Sequence, residues 1–189
     1  MKKKIFIDGK AGTTGLRIEE RLSNRDDIEI MKIDPELRKD PEERKKMINA
    51  SDVTFLCLPD AAAKEAVSFV ENENTVIIDA STAHRTEEGW ASGFPELSPE
   101  HRAKIKNGKR IAVPGCYASG FVSLVYPLVK GGILPKDYPV SCFALSGYSG
   151  AGKKTIAVYE SEDRPTELAS GRVYALTQQH KHLKEMKIC

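Results

Sequence analysis

The residues best suited to chemistry fall in three stretches. The first is Val113-Pro114-Gly115-Cys116-Tyr117-Ala118-Ser119-Gly120, where a strand-like run over 110–113 passes through Pro-Gly into a helix that opens on a lone cysteine. The unpaired N–H groups of a helix start favour an anion there, and the thiolate is the form of cysteine that attacks a carbonyl carbon. The same position also suits a small buried cysteine at a strand–helix joint. The second stretch is Gly9-x-x-Gly12-x-x-Gly15, directly after an apolar strand and at the mouth of a helix. Glycine there lets backbone approach a pyrophosphate seated on the helix N-terminus. The spacing differs from G-x-G-x-x-G, but the strand-turn-helix context is that of a dinucleotide site. The third is His180-Lys181-His182 with Glu185 close behind. A histidine is the natural proton carrier for a reacting thiol, and a solvated pair without a role is the plain alternative. Metal binding needs further ligands that the spacing does not supply.

Those groups must be held by elements, and the elements alternate. Apolar runs at 5–7, 28–33, 52–58, 75–79 and 110–113 read as strands, the third and fourth nearly continuous in the manner of buried parallel strands. Between them lie helices from the glycine turn to about Leu22, over 41–49 with Pro41 at its start, from Asp60 with Ala63, Ala66, Val67 and Val70 on one face, and near 99–106. This order predicts an α/β fold: a Rossmann-like parallel sheet with helices on both faces over 1–134. Pro127 is expected to kink or end the Cys116 helix. From Pro139 the alternation stops. A strand over 139–145, a glycine-rich loop over 146–154 and a polar tail predict an incomplete α+β substrate or catalytic domain over 135–189.

Composition narrows the classes. The chain has 189 residues, 40% hydrophobic and 30% charged, with a net charge of +2. That is ordinary for a soluble globular protein and argues against a nucleic-acid or membrane partner. No apolar run reaches spanning length. The four cysteines, Cys57, Cys116, Cys142 and Cys189, form no C-x-x-C pair, which points to a reducing, cytoplasmic setting. Asp34, ending the second strand, stands where an acid binds the ribose hydroxyls of NAD. Arg38 and Lys39 suit the 2′-phosphate of NADP, and two cations favour NADP. Gly147-Tyr148-Ser149-Gly150-Ala151-Gly152-Lys153 begins like a phosphate-binding P-loop, but Lys154 follows where Ser or Thr must hold magnesium. Its backbone N–H groups still suit an anionic substrate group. Tyr126-x-x-x-Lys130 matches the Tyr/Lys pair of short-chain dehydrogenases only by chance, since Pro127 lies within it.

Taken together, the chain resembles the N-acetyl-γ-glutamyl-phosphate reductases of the shorter (type 2) form. The resemblance rests on Gly9-Lys10-Ala11-Gly12-Thr13-Thr14-Gly15, Leu56-Cys57-Leu58-Pro59-Asp60, Asp79-Ala80-Ser81-Thr82-Ala83-His84-Arg85, Pro114-Gly115-Cys116-Tyr117-Ala118, 146–152 and His180-Lys181-His182-Leu183, in family order. Lys184 stands where the family has proline. The resemblance implies NADPH-dependent reduction of an acyl phosphate to a semialdehyde through a cysteine thioester, in arginine biosynthesis. Cys116 would be the nucleophile and His180 the acid/base. Gly9, Gly12, Thr13, Thr14, Gly15, Arg38, Lys39 and Ser81 would hold NADP. Arg85, Ser146, Ser149, Gly150 and Glu185 would face a small-molecule acyl phosphate. Relatives continue beyond the histidine motif, which implies a chain ending inside its second domain and a homo-oligomer for the full-length form. Two alternatives stand beside this reading: an aspartate-semialdehyde dehydrogenase-like enzyme, and a cofactor-binding but inactive fragment.

Overall fold

The computed structural model describes residues 2–10, 13–145, 147–170 and 179–188. Six described strands, β1 (Lys3–Asp8), β2 (Ile28–Met31), β3 (Val53–Leu56), β4 (Val76–Asp79), β5 (Ala91–Ser92) and β6 (Arg110–Ala112), form one sheet. Their order is β2-β1-β3-β4-β6-β5 and every pairing is parallel. Parallel neighbours need crossovers, which are supplied by α1 (Thr13–Leu22), α2 (Pro41–Ala50), α3 (Asp60–Ser68) and α4 (Pro99–Asn107). Three further helices follow: α5 (Cys116–Lys130), α6 (Gly152–Tyr159) and α7 (His182–Ile188).

Strand alternation assigns the two faces. Phe6, Leu56 and Ile77 point to one side, where Met47 and Ile48 of α2 and Ala63 and Ala66 of α3 close over them. Ile5, Ile7 and Ile28 point to the other, against Ile18 and Leu22 of α1. Helices therefore cover both faces. Burying a side chain such as Phe6 contributes roughly 1.5–3 kcal/mol. The helix starts are written locally: Asp40 Oδ1 accepts the Glu43 N–H (2.8 Å) ahead of Pro41, and Ser98 Oγ accepts the His101 N–H (3.3 Å) ahead of Pro99.

The structure differs from expectation in three places. β5 was hidden in the irregular stretch after Ser81, because two residues carry no readable period. Pro127 does not end α5, which runs on to Lys130 with the Gly131 N–H bonded to the Pro127 carbonyl (2.9 Å). The proline sits in the last turn, and Ser123, whose carbonyl loses its donor, lies on the exposed side where water can replace it. No strand forms over 139–145, where every residue is exposed. An apolar run becomes a strand only where it pairs with another, and none of the described strands pairs with this one.

Candidate active site

Strand order reverses at β1, which lies between β2 and β3, and ligands of such sheets bind outside the carboxyl ends of the strands at that crevice. The loops there carry most of the residues singled out by sequence. Gly9 follows β1 with φ of +85°, and a Cβ on it would lie 2.3 Å from the Cys57 carbonyl oxygen. Only glycine makes that turn, which packs β1's end against the backbone that follows β3. Gly12 lies outside the described residues. Thr13 opens α1, Thr14 is exposed and Gly15 is buried against the turn, where a Cβ would lie 2.7 Å from the Lys10 Cα. Beneath the turn, Asp8 is buried and its Oδ2 accepts from Arg44 Nε (3.1 Å) and Nη2 (3.0 Å), while Arg44 Nη1 donates to Glu65 (2.7 Å). Burial pushes the Asp8 carboxyl above its ordinary range, and the Arg44 guanidinium works against that rise. Arg38 and Lys39 are exposed in the turn after β2, near Asp34, whose carboxylate accepts the Glu36 N–H (2.9 Å). This end of the chain fits a dinucleotide.

The loop after β4 is built on Asp79, fully buried. Its carboxylate accepts from the Ser81 N–H (2.9 Å), the Ser81 hydroxyl (2.7 Å) and lies 2.7 Å from His84 Nδ1. The His84 ring stacks on Trp90 at 4.2 Å and 11°. Ser81 is thus fastened to the sheet end, and Arg85 is carried one residue beyond the anchored histidine. Sequence reading singled out this stretch and gave Ser81 and Arg85 roles, but not the bonds by which Asp79 gathers Ser81 and His84. Their trace was an acid closing an otherwise apolar strand.

Cys116 is the first residue of α5, after Gly115, and is exposed. Cys57 differs: burial, with the Asp8 and Asp79 charges adding to it, pushes that thiol up to about 11. Of the two, the exposed cysteine at a helix start is the better placed to react. It lines a broad concavity with Arg85, Tyr117, Gly147, Gly150, His180 and His182. His180 is half-buried; its ring meets Tyr117 edge-on at 5.7 Å and His182 at 4.4 Å, and its Nδ1 accepts the His182 N–H (3.2 Å).

His182 goes deeper. It is buried, and a Cβ on Gly115 would fall 2.1 Å from its Nε2. Burial, ahead of the Glu185 charge that opposes it, moves this imidazole below the ordinary histidine range. Glu185, also buried, accepts the Gly115 N–H at Oε2 (2.8 Å) and Arg85 Nη1 at Oε1 (2.9 Å). Lys181 Nζ reaches the Thr82 hydroxyl (3.2 Å), and Asp60 accepts the Thr82 N–H (2.9 Å). α7 is thereby fastened to the loops at the carboxyl ends of β4 and β6. Gly150 closes a 3-10 turn (Tyr148–Gly150) and is exposed; of Ser149 only its backbone in that turn is described, and Ser146 lies outside the described residues. Among the described residues no three or more His, Cys, Asp or Glu are grouped to hold a metal ion, and no helix is long and apolar enough to cross a membrane.

Known proteins share this plan. Residues 5–105 match the family model described as semialdehyde dehydrogenase, NAD binding domain, and residues 116–188 match semialdehyde dehydrogenase, dimerisation domain. The chain is 51% identical to an N-acetyl-gamma-glutamyl-phosphate reductase of Trichormus variabilis, covering 98% of this chain and 59% of the relative. One of Burkholderia cenocepacia is 47% identical, over 97% of this chain and 58% of the relative. The chain thus spans about three-fifths of the length of the curated relatives it matches. Among solved structures, aspartate semialdehyde dehydrogenase from Francisella tularensis shares the fold with a TM-score of 0.63 at 16% identity, covering 98% of this chain and 55% of that one. The family model over 5–105 takes in more than half of the residues, and with the relatives' identity along nearly all of the sequence it follows that the chain belongs to the semialdehyde dehydrogenase family.

Proposed function

We propose that the chain carries the cofactor site and the nucleophile of an N-acetyl-γ-glutamyl-phosphate reductase, an NADPH-dependent oxidoreductase of arginine biosynthesis acting in the cytoplasm as a homo-oligomer. The observation that carries the reading is exposed Cys116 at the first position of α5, sharing one concavity with Arg85 and His180. The relatives' names support the substrate, and the glycine turn supports the dinucleotide. The reading divides the chain at 134/135 into a cofactor domain and a substrate domain.

The thiolate of Cys116 attacks the acyl carbon, and the C–O bond to phosphate breaks, leaving a thioester. Arg85 offsets charge on the departing phosphate, and the loop holding Ser146, Ser149 and Gly150 takes the rest of the substrate. N–H groups at the start of α5 face the oxyanion as it forms. Gly9, Gly12, Thr13, Thr14, Gly15 and Ser81 would hold NADPH, with Arg38 and Lys39 for its 2′-phosphate, and the bound cofactor would supply the hydride to the thioester carbon, the carbonyl oxygen taking a proton. The thiohemiacetal on Cys116 then loses its hydroxyl proton, and the C–S bond breaks to give aldehyde and thiol. His180 carries the proton in and out. A second reading gives this task to His182, favoured by the contact of its Nε2 edge with Gly115, one residue from the thiol.

Phosphate-dependent reduction of NADP by the semialdehyde tests the reading. Cys116→Ser lowers the rate by about a thousandfold or more, and normal turnover in that variant removes covalent catalysis. Loss of activity in His180→Ala but not His182→Ala, or the reverse, assigns the proton carrier. Equal use of NAD and NADP removes the role of Arg38 and Lys39. Activity with aspartyl rather than N-acetylglutamyl substrate would shift the reading to the aspartate enzyme.

A further inference from the structure

We infer that Glu185 is a positioning residue rather than a substrate contact: its carboxylate clamps the turn before Cys116 to Arg85 and so fixes the reactive end of α5. The inference rests on the reading of Cys116 as the nucleophile. Both carboxylate oxygens are already taken by the protein, Oε1 by Arg85 Nη1 at 2.9 Å and Oε2 by the Gly115 N–H at 2.8 Å, with the side chain 7% exposed. Each oxygen keeps a further acceptor site, but a side chain buried to this degree presents little of it to a ligand. The two bonds close contacts 100 and 70 residues apart in sequence, joining the loop after β4, the turn after β6 and α7 at one point.

The surroundings are shaped to the clamp. His182 lies one turn before Glu185 on α7, with its Nε2 3.4 Å from Arg85 Nη1, and its ring fills the space that only a glycine at 115 leaves open. Arg85 is itself steadied by Nη2 on the Ala80 carbonyl (3.3 Å). The electrostatics carry a second consequence. A buried carboxylate bonded to the N–H that caps α5 opposes a thiolate on the next residue, because it occupies the positive end of the helix. Arg85 offsets that charge only while the pair is intact. Glu185 therefore sets both where Cys116 sits and how much charge stands at the helix start it opens, through Gly115 and Arg85.

The test uses the 189-residue chain and reads Cys116 alone, by the rate at which iodoacetamide alkylates its peptide at about pH 7. Glu185→Gln keeps the shape and an acceptor but removes the charge, and alkylation accelerates by about three- to tenfold while NADPH affinity is unchanged. Glu185→Ala removes both bonds: exchange of the Gly115 amide hydrogen quickens by about tenfold, and kcat falls with KM nearly constant. Alkylation in Glu185→Gln at the wild-type rate overturns the proposal, whether or not the alanine variant folds. A raised KM with unchanged alkylation and amide exchange returns Glu185 to the substrate. Alkylation requires no turnover, so these results stand apart from any failure of Cys116→Ser to lose activity.

Discussion

Two apolar populations in this chain meet opposite fates. Phe6, Ile48, Leu56 and Ile77 are fully buried between the sheet and α2 and α3, whereas Ile133, Phe143 and Leu145 are 74%, 87% and 83% exposed. Hydrophobicity does not separate them; neighbours do. Each strand of the first region pairs with another in a fixed parallel register and finds a helix face above it. The run after α5 has neither partner among the described residues. That stretch lies within the residues matched by the family model described as semialdehyde dehydrogenase, dimerisation domain. The candidate site lies at the seam: Cys116 opens α5 at the carboxyl edge of the sheet, and Leu124 on the same helix is 72% exposed.

The comparison breaks or sharpens by substitution. Phe6→Ala opens a cavity in the sheet core and should cost about 3–5 kcal/mol in urea unfolding; a loss no larger than that of a surface change would refute a self-sufficient core. Arg44→Met strands the Asp8 carboxyl and should cost about 3 kcal/mol near neutrality. Its pH dependence has a defined sign. A buried carboxyl whose folded pKa is raised above 3.8 binds its proton more tightly when folded, so ionising it as pH rises disfavours the fold. Without Arg44 the midpoint should fall more steeply between about pH 4 and about pH 7 than in the wild type.

His182 sits below its ordinary value of 6.5, so its contribution is present above that pH and lost as pH falls from there through its lower, folded value. Against His182→Gln, the wild type should hold an advantage of about 1 kcal/mol at about pH 8 that narrows towards about pH 5; a constant difference would mean that the buried ring does not titrate with folding. Smallest is Phe143→Ser, expected within about 0.5 kcal/mol of wild type while reducing self-association in sedimentation. A large loss there would place Phe143 in a core.

Much of the local geometry at the candidate site was legible in advance because its signals are local. The glycine turn follows a strand, Cys116 follows Pro-Gly, and Pro41 and Pro99 stand behind Asp40 and Ser98 as helix starts do. Arg44 was half-visible: it shares the helical face of Met47 and Ile48, a cation on an apolar stripe that needs a buried acid. The 139–145 strand misled because its composition suits a sheet and composition is blind to whether the run is brought to an edge.

The amino-acid order by itself determined the alternating α/β plan, the cofactor turn and a cysteine at a helix start, since each depends on a few neighbouring dihedrals and one periodicity. Tertiary structure alone decided that His182 rather than His180 is buried against Gly115, that Glu185 faces inward to Arg85 and Gly115, and that Asp79 gathers Ser81 and His84. The helical period could place His182 and Glu185 on one face, three residues apart, but not name the surface they meet. That surface is assembled from loops 70 and 100 residues away, and only the closing of the sheet brings those loops together.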